Sequence, residues 1–508
     1  MQRVTGLPGA HALHDTATTR LIEAQAMTVL PAHALMQRAG LAVARLALAL
    51  APNARRVRVA AGPGNNGGDG LQAAIHLLSW GKQVDVVWLG NEAKLPADAR
   101  HALGQARSAG VRINLVEPDP LQRDDLAIDG LLGIGARGAP EGAIAECMRS
   151  LNRLPCGVLA IDLPSGMNPD TGQPLGDDCI TARHTLALLT LKPGLHTGAG
   201  RERAGTVWLD RLGSAPAVVE AASAWLQGLP RDDASLRPPR QHGQHKGSFG
   251  DVAIVGGAPG MAGAALLAGR AALAGGAGRV YLSLLGSDND GTTHDPLRPE
   301  LMFRPAWWNG PPELLAQTTV VCGCGGGNVV RIALPRLLSL TARLVLDADA
   351  LNQLAGDSSL AMQLRARAAR GKATILTPHP LEAARLLGCT TSEVQADRLH
   401  AARELSDRLQ AVVVLKGSGS VIAAPRSTPI INATGNAALA SPGTGDVLAG
   451  WLGALWAQAS GGLTIDVAAQ AVAEHGAAAD PQPGGPLRAG DLIERLHRRL
   501  QAGTPPKA

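Results

Sequence analysis

The sequence predicts an α/β protein of two domains with parallel sheets, and three observations carry that prediction. Its 508 residues exceed what a single hydrophobic core usually supports. Short runs of Val, Ile and Leu alternate along the chain with Ala-rich helical stretches, the pattern of repeated βα units. That pattern fades once, between Ser214 and Gln241, where Pro230, Arg231, Asp232, Asp233, Pro238 and Pro239 read as a polar linker. The expected organisation is therefore a domain over 1–214, a linker over 215–241 and a domain over 242–508.

In the first half the expected strands are Val57–Ala61, Val84–Leu89, Leu126–Asp129, Val158–Asp162, Thr185–Leu191 and Val207–Leu209. Each is brief and apolar, as strands covered on both faces should be. The second half restarts with Asp251–Val255, Arg279–Leu285, Thr319–Cys322, Leu344–Asp347, Ala373–Leu376 and Val412–Leu415. No fixed-period repeat runs through them, which excludes a solenoid.

Composition narrows the function classes. Hydrophobic residues make up 45% of the chain and charged residues 18%, far from a disordered profile. The net charge of +5 is not gathered into the Lys/Arg patch with stacking aromatics that a nucleic-acid binder needs; it fits small anionic molecules equally well, and a solvated surface with slightly more Arg than Glu is the plainer reading. Six scattered cysteines resemble reduced intracellular thiols more than a disulfide framework. With no secretory leader and no long apolar run, the expectation is a cytoplasmic protein without a membrane partner, working as a homo-oligomer.

Chemistry concentrates where strands give way to helices. In the first half, Gly62-Pro63-Gly64-Asn65-Asn66-Gly67-Gly68-Asp69-Gly70 follows a strand, so its backbone N–H groups are placed to cradle a phosphate at a helix start. A GxGxxG match alone often serves only a tight turn. The Asn-Asn-Gly-Gly-Asp core adds amides and a carboxylate that a plain dinucleotide fold does not need. Asp129 and Asp162 end two further strands, and in a parallel sheet those ends face the ligand crevice.

The ordered set "GPGNNGGDG", "DGLLGIGARG", "AIDLPSGMNPDTG" and "LKPGLHTGAG" resembles the NAD(P)H-hydrate epimerase domain, a Rossmann-like fold, over roughly Thr18 to Gly213. The resemblance implies that Asn65, Asn66, Gly67, Gly68 and Asp69, with Gly133, Ile134, Gly135, Ala136, Arg137, Gly138 and Ala139, bind the hydrated nucleotide. It also implies a potassium ion on Asn66, Asp129 and Ser165, oxygen-bearing residues suited to a hard cation. Asp162 would act as the acid–base residue at the reacting ring. Ile134 stands where relatives often carry a small polar residue.

In the second half, Gly443-Thr444-Gly445-Asp446 precedes the apolar run Val447 to Leu455. Successive N–H groups at such a helix start form an anion hole, and the adjacent carboxylate could take a proton from a hydroxyl attacking a phosphoryl group. A Gly-rich loop with an Asp cap is the plainer reading. "VVVLKGSGSVI" sets Lys416 and a Gly/Ser turn between two strands, and "ATILTPHPLEAARLLG" puts His379 just after another. No Walker A sequence is present.

Together with "KGSFGDVAIVGGAPGMAGAALLAGRAALAGGAG", "VVCGCGGG" and "LVLDADALN", these segments resemble the ADP-dependent NAD(P)H-hydrate dehydratase, a ribokinase-like α/β fold, over about Gln244 to Leu496. Lys416, Gly417, Ser418, Gly419, Ser420 and Gly445 would then contact the adenine nucleotide. Ala264, Gly325, His379 and Asp446 would contact the hydrate, with Asp446 catalytic. Ser420 replaces a frequent Thr but keeps the hydroxyl. The implied co-substrate is ADP, the implied ions potassium and magnesium, and the implied products AMP, phosphate and NAD(P)H. Two rivals stand beside this reading: a ribokinase-type small-molecule kinase fused to a Rossmann-like domain, and a non-catalytic nucleotide-sensing or lipid-carrier-binding first half.

Overall fold

The computed structural model describes residues 1–4, 9–115, 120–214, 222–229, 236–286, 294–480 and 485–502. It divides into two compact units, one mainly His11–Leu226 and the other mainly Gln227 onward.

In the first unit, taken in chain order, the main strands are Arg56–Ala61, Gln83–Trp88, Arg112–Asn114, Leu126–Gly130, Gly157–Ile161, His184–Leu188 and Thr206–Asp210. All pair in parallel, and their spatial order is third, second, first, fourth, fifth, sixth, seventh. This is the doubly wound order of a Rossmann-like sheet, with its switch point between Arg56–Ala61 and Leu126–Gly130. Side chains alternate between the two faces as strand geometry requires. Val57, Val59, Ala61, Leu126 and Ile128 join one buried cluster with the helices Ala34–Leu50, Asn65–Ser79 and Ala97–Ser108. Ala60, Ala127, Val158 and Ala160 join a second cluster with the helix Gly142–Asn152. Truncating Ile128, which is fully buried, to Ala would cost about 2–5 kcal/mol.

The second unit repeats the plan. Its strands are Asp251–Gly256, Arg279–Leu284, Met302–Phe303, Thr319–Cys322, Arg343–Leu346, Ala373–Leu376 and Val412–Leu415, parallel throughout and again in the order third, second, first, fourth to seventh. Val421–Ala423 and Ile430–Asn432 then extend the sheet antiparallel. The helix Thr444–Gln458 is apolar all round and buried along most of its length, as a core helix should be. It crosses the helix Ala262–Ala274 so closely that a Cβ on Gly450 would sit 2.0 Å from the Ala268 carbonyl oxygen.

Several expectations need correction. The strand expected to reach Leu191 stops at Leu188, because Leu189 turns left-handed (φ 61°) and Thr190 N–H folds back onto the Leu188 carbonyl. Asp162 likewise leaves its strand at φ 66°. Asn65 to Gly70, read as a loop, forms the first turns of the helix Asn65–Ser79. Within the segment read as a linker, Ala224–Gln227 is a strand with alternating burial, and its Gln227 carbonyl accepts from Ala433 N–H. Pro230 to Asp233 of that segment lie outside the described residues.

Candidate active sites

At the first switch point the chain passes from strand to helix through Gly62, whose N–H donates to the Gly130 carbonyl (3.1 Å). A Cβ on Gly62 would lie 1.8 Å from the Leu131 carbonyl oxygen, so only glycine fits. Gly64 caps the following helix without a side chain, which leaves the N–H groups of the first turn available to an anion. Gly67 and Gly68 are packing residues: added Cβ atoms would meet the Gly62 carbonyl oxygen at 2.2 Å and the Met36 methyl at 2.6 Å.

Beside this turn lies a cavity of about 470 Å³ whose wall includes Asn65, Asn66, Asp69, Gly133, Ile134, Gly135, Ala136 and Asp162. Leu131 and Leu132 also line it, whereas Arg137, Gly138 and Ala139 of the same turn stand exposed and outside the lining. Asp162 projects from its left-handed backbone position, a strained setting typical of functional residues. Its Oδ1 accepts from Leu188 N–H (3.0 Å) and from the ammonium of Lys192. Lys192 is fully buried and also donates to the Leu188 carbonyl.

Three more carboxyls face this pair from three helices: Glu23, Asp69 and Asp98 line the same wall. Burial raises the Asp69 carboxyl well above its ordinary value, with further push from the charges of Asp162, Glu23 and Asp98. Burial also raises Glu23, and Asp162 adds to it while Lys192 opposes. Sequence reading missed Lys192, Glu23 and Asp98. Only Lys192 gave a signal, as the cation of "LKPGLHTGAG".

Asn66, Asp129 and Ser165 do meet. The Ser165 N–H (2.8 Å) and Oγ (2.6 Å) donate to the Asp129 carboxylate, Leu132 N–H donates to Ser165 Oγ, and Asn66 Nδ2 donates to the Leu132 carbonyl. Burial pushes the Asp129 carboxyl up to about 6 despite its donors from Ser165 and Leu131. A fully buried carboxylate beside the Ser165 hydroxyl and the Leu132 carbonyl offers oxygen donors that fit a hard monovalent cation, and Asn66 reaches the cluster through its amide nitrogen on that carbonyl.

The second site gathers around the N-terminus of Thr444–Gln458. A Cβ on Gly445 would stand 3.4 Å from Lys416 Nζ, so the lysine reaches the Gly-Thr-Gly-Asp turn. Its ammonium binds Asp347 Oδ1 at 2.7 Å. One oxygen of Asp446, one of Asp347 and the Cys324 sulfur all lie within 4.8 Å of one another. Burial raises the Asp446 carboxyl to about 6, with Asp347 adding to the shift and the Cys324 thiol and Lys416 opposing it. The buried His475 donates from Nε2 to the Thr444 carbonyl (2.9 Å) and fixes the turn from behind. Two carboxylates and a thiol fit magnesium through the carboxylates alone, the thiol being too soft.

His379 caps the helix Pro380–Leu387: its Nδ1 accepts from Leu381 and Glu382 N–H, and Glu382 returns a bond to its backbone. Burial lowers His379, with Lys416 contributing, and raises Glu382 to about 7. Gly325 and Ala264 adjoin, a Cβ on Gly325 falling 2.8 Å from the Ala264 methyl. Gly417 turns at φ 135° against the buried Arg398, whose guanidinium holds the Leu415 and Lys416 carbonyls. Ser420 Oγ donates to the Gly417 carbonyl, closing the turn that also holds Ser418 and Gly419. Asp347 and Cys324 sat inside motifs quoted from the sequence but had been given no role.

Two doubly wound units, each with a carboxylate and a lysine at the carboxyl ends of its strands, define an enzyme with two separate sites for nucleotide-like substrates. Comparison with known proteins gives the family. Residues 252–501 match the family described as NAD(P)H-hydrate dehydratase, and residues 32–194 the family described as YjeF-related protein N-terminus. The chain is 38% identical over 476 residues to the bifunctional NAD(P)H-hydrate repair enzyme of Escherichia coli, covering 90% of this chain and 87% of that one. It is 37% identical to the Vibrio cholerae enzyme of the same name (92% and 93% covered) and 33% identical to that of Leishmania braziliensis (93% and 90%). Among solved structures, an ADP/ATP-dependent NAD(P)H-hydrate dehydratase from Bacillus subtilis aligns at 30% identity and a TM-score of 0.43, covering 52% of this chain and 94% of that one. The chain belongs to the bifunctional NAD(P)H-hydrate repair enzymes, with an epimerase-related half first and a dehydratase half second.

Proposed function

We propose that the first half interconverts the R and S hydrates of NADH and NADPH at Asp162, and that the second half dehydrates the S epimer at Asp446 using ADP. The observation that carries this reading is that each carboxylate has a lysine and a helix start without a side-chain cap beside it: Asp162 with Lys192 and the start of Asn65–Ser79, Asp446 with Lys416 and the start of Thr444–Gln458. In the second half, the N–H groups around Gly445 and the Lys416 ammonium hold the transferring phosphate, with the turn of Gly417 to Ser420 around the nucleotide. Asp446 orients the ring hydroxyl and takes its proton as the hydroxyl attacks the β-phosphate of ADP. AMP leaves. The ring nitrogen then expels phosphate, a far better leaving group than hydroxide, and loss of a neighbouring ring proton restores the dihydronicotinamide. Ala264, Gly325 and His379 face the hydrate.

Potassium would be held by Asn66, Asp129 and Ser165 with the Leu132 carbonyl, where it would neutralise a buried carboxylate and steady the turn that lines the first cavity. Magnesium would meet the carboxylates of Asp347 and Asp446 and supply charge to the phosphates. All six cysteines are free, in keeping with a reducing, cytoplasmic setting. The test is to supply each purified epimer with and without ADP. The reading expects ADP-independent inversion, ADP-dependent consumption of S, and AMP formed one for one with NAD(P)H. A stable phosphate ester accumulating in place of NAD(P)H would overturn it in favour of a kinase.

A further inference from the structure

The first site holds more acid than one acid–base residue requires. Asp69 and Asp162 both open onto the 470 Å³ cavity, from the helix Asn65–Ser79 and from the strand end after Gly157–Ile161. Their surroundings differ. Asp162 is bound by Lys192 and by Leu188 N–H, whereas the Asp69 side chain makes no hydrogen bond or ion pair among the described residues. The groups facing Asp69 are Glu23 and Arg20 from the helix Thr16–Val29, Asp98 from Ala97–Ser108, and the Asp162–Lys192 pair. The helix Ala34–Leu50 contributes only Leu35, Met36 and Ala39. The Lys192 ammonium is committed to Asp162, the Arg20 guanidinium acts on Glu23 and His33 Nδ1 holds Asp98 at 2.5 Å, so none of these three partners is bonded to Asp69.

We propose that Asp69 is a second catalytic residue of this site, the carboxylic acid that protonates the departing ring hydroxyl while Asp162 receives the proton of the water that adds from the opposite face. This rests on the epimerase reading of the first half. The ring nitrogen's lone pair forms a C=N bond as the C–O bond breaks, and the oxygen leaves with its electron pair, taking the Asp69 proton to become water. A cavity water then forms the new C–O bond on the other face, the C=N electrons return to nitrogen, and the extra proton passes to Asp162. Solvent in the cavity carries the proton from Asp162 back to Asp69. Burial and the neighbouring carboxylates favour the protonated form of Asp69 well above the usual range, while Asp162 lies in a salt bridge with Lys192, so the cavity presents a proton donor and a carboxylate held by a cation.

The test follows a single epimer in heavy-oxygen water without ADP, using the parent, Asp69→Asn and Asp69→Glu. The parent should gain one solvent oxygen per inversion and lose rate on the alkaline side as Asp69 ionises. Asp69→Asn should cut kcat by ~100- to 10,000-fold with KM nearly unchanged, and Asp69→Glu should recover part of the rate. Inversion by the parent without solvent oxygen, or Asp69→Asn inverting at the parental kcat, would overturn the proposal while leaving the epimerase reading intact. A parent that inverts neither epimer would overturn that reading and the role of Asp69 with it.

Discussion

The two sites belong to units whose parallel strands share one order, yet each uses its lysine differently. In the first, Lys192 binds Asp162, the carboxylate closest to the expected chemistry, and leaves Asp69 and Glu23 raised by burial and by one another. In the second, Lys416 binds Asp347, a neighbour, and the reacting Asp446 is left near 6 with a thiol and a half-satisfied environment. An ion pair beside the catalytic group suits a site that must keep one base and one acid apart. An ion pair beside its neighbour leaves the base free to gain and lose a proton near neutrality, while the lysine stays by the phosphate path.

The largest effect that would break this comparison is a crossed pair of variants. Asp162→Asn should lower inversion of the epimers by ~100- to 10,000-fold and leave ADP-dependent dehydration of S unchanged, and Asp446→Asn should do the reverse. Separate rate assays on each purified variant decide it. If either substitution removes both activities in a folded protein, the two sites are not separate.

The cluster of Asn66, Asp129 and Ser165 proposed to hold potassium lies in the first unit. Ser165→Ala keeps the backbone N–H on Asp129 but removes the Oγ donor to that carboxylate and the acceptor for Leu132 N–H, so the potassium concentration giving half-maximal inversion should rise about 10–100-fold. Dehydration should not respond. Titrating potassium chloride against a choline chloride background measures it, and an unchanged potassium curve would remove Ser165 from the ion.

A pH series sharpens the contrast. Since Asp446 must be ionised to accept a proton and its carboxyl stands near 6, kcat/KM for dehydration should fall about tenfold per pH unit below that value. A flat profile between pH 5 and 7 would mean that Asp446 is not the base, because the ionised fraction of a carboxyl titrating near 6 changes across that range.

The smallest effect is on stability. The folded-state value of Asp69 is raised above the ordinary 3.8, so its protonated form favours folding at low pH and that contribution is lost as pH rises through the folded value. Asp69→Asn should therefore raise the melting temperature by roughly 2–4 °C at pH 8 and by nothing near pH 4. Calorimetry at the two pH values checks the sign, and a loss at pH 8 would contradict the crowding of carboxyls.

The parts legible in the sequence were those that one strand and its following turn contain. Asp129, Asp162, Asn66 and Ser165 sit within such turns, and the alternation of apolar runs gave the sheets. What escaped depends on chain segments far apart. Glu23 reaches the first cavity from a helix that has no motif of its own, and Lys192 acts only because Leu189 and Thr190 reverse the chain under Asp162. The helical start at Asn65 was hidden because Asn and Gly are poor helix formers; contacts with Gly62 and Met36, which admit no Cβ, override that preference. Asp347 ends a strand in a quoted motif, but only the fold brings it to Lys416 and Asp446.

The most direct test of two linked sites with one substrate is to follow both hydrate epimers by chromatography after supplying pure R to the intact protein. Without ADP, R should relax to a mixture with S and no NAD(P)H should form. With ADP, all the R should disappear through S, with NAD(P)H and AMP rising together. R that persists unchanged when ADP is present, in a protein that still dehydrates S, would contradict the account, because the first site would then not be supplying the second.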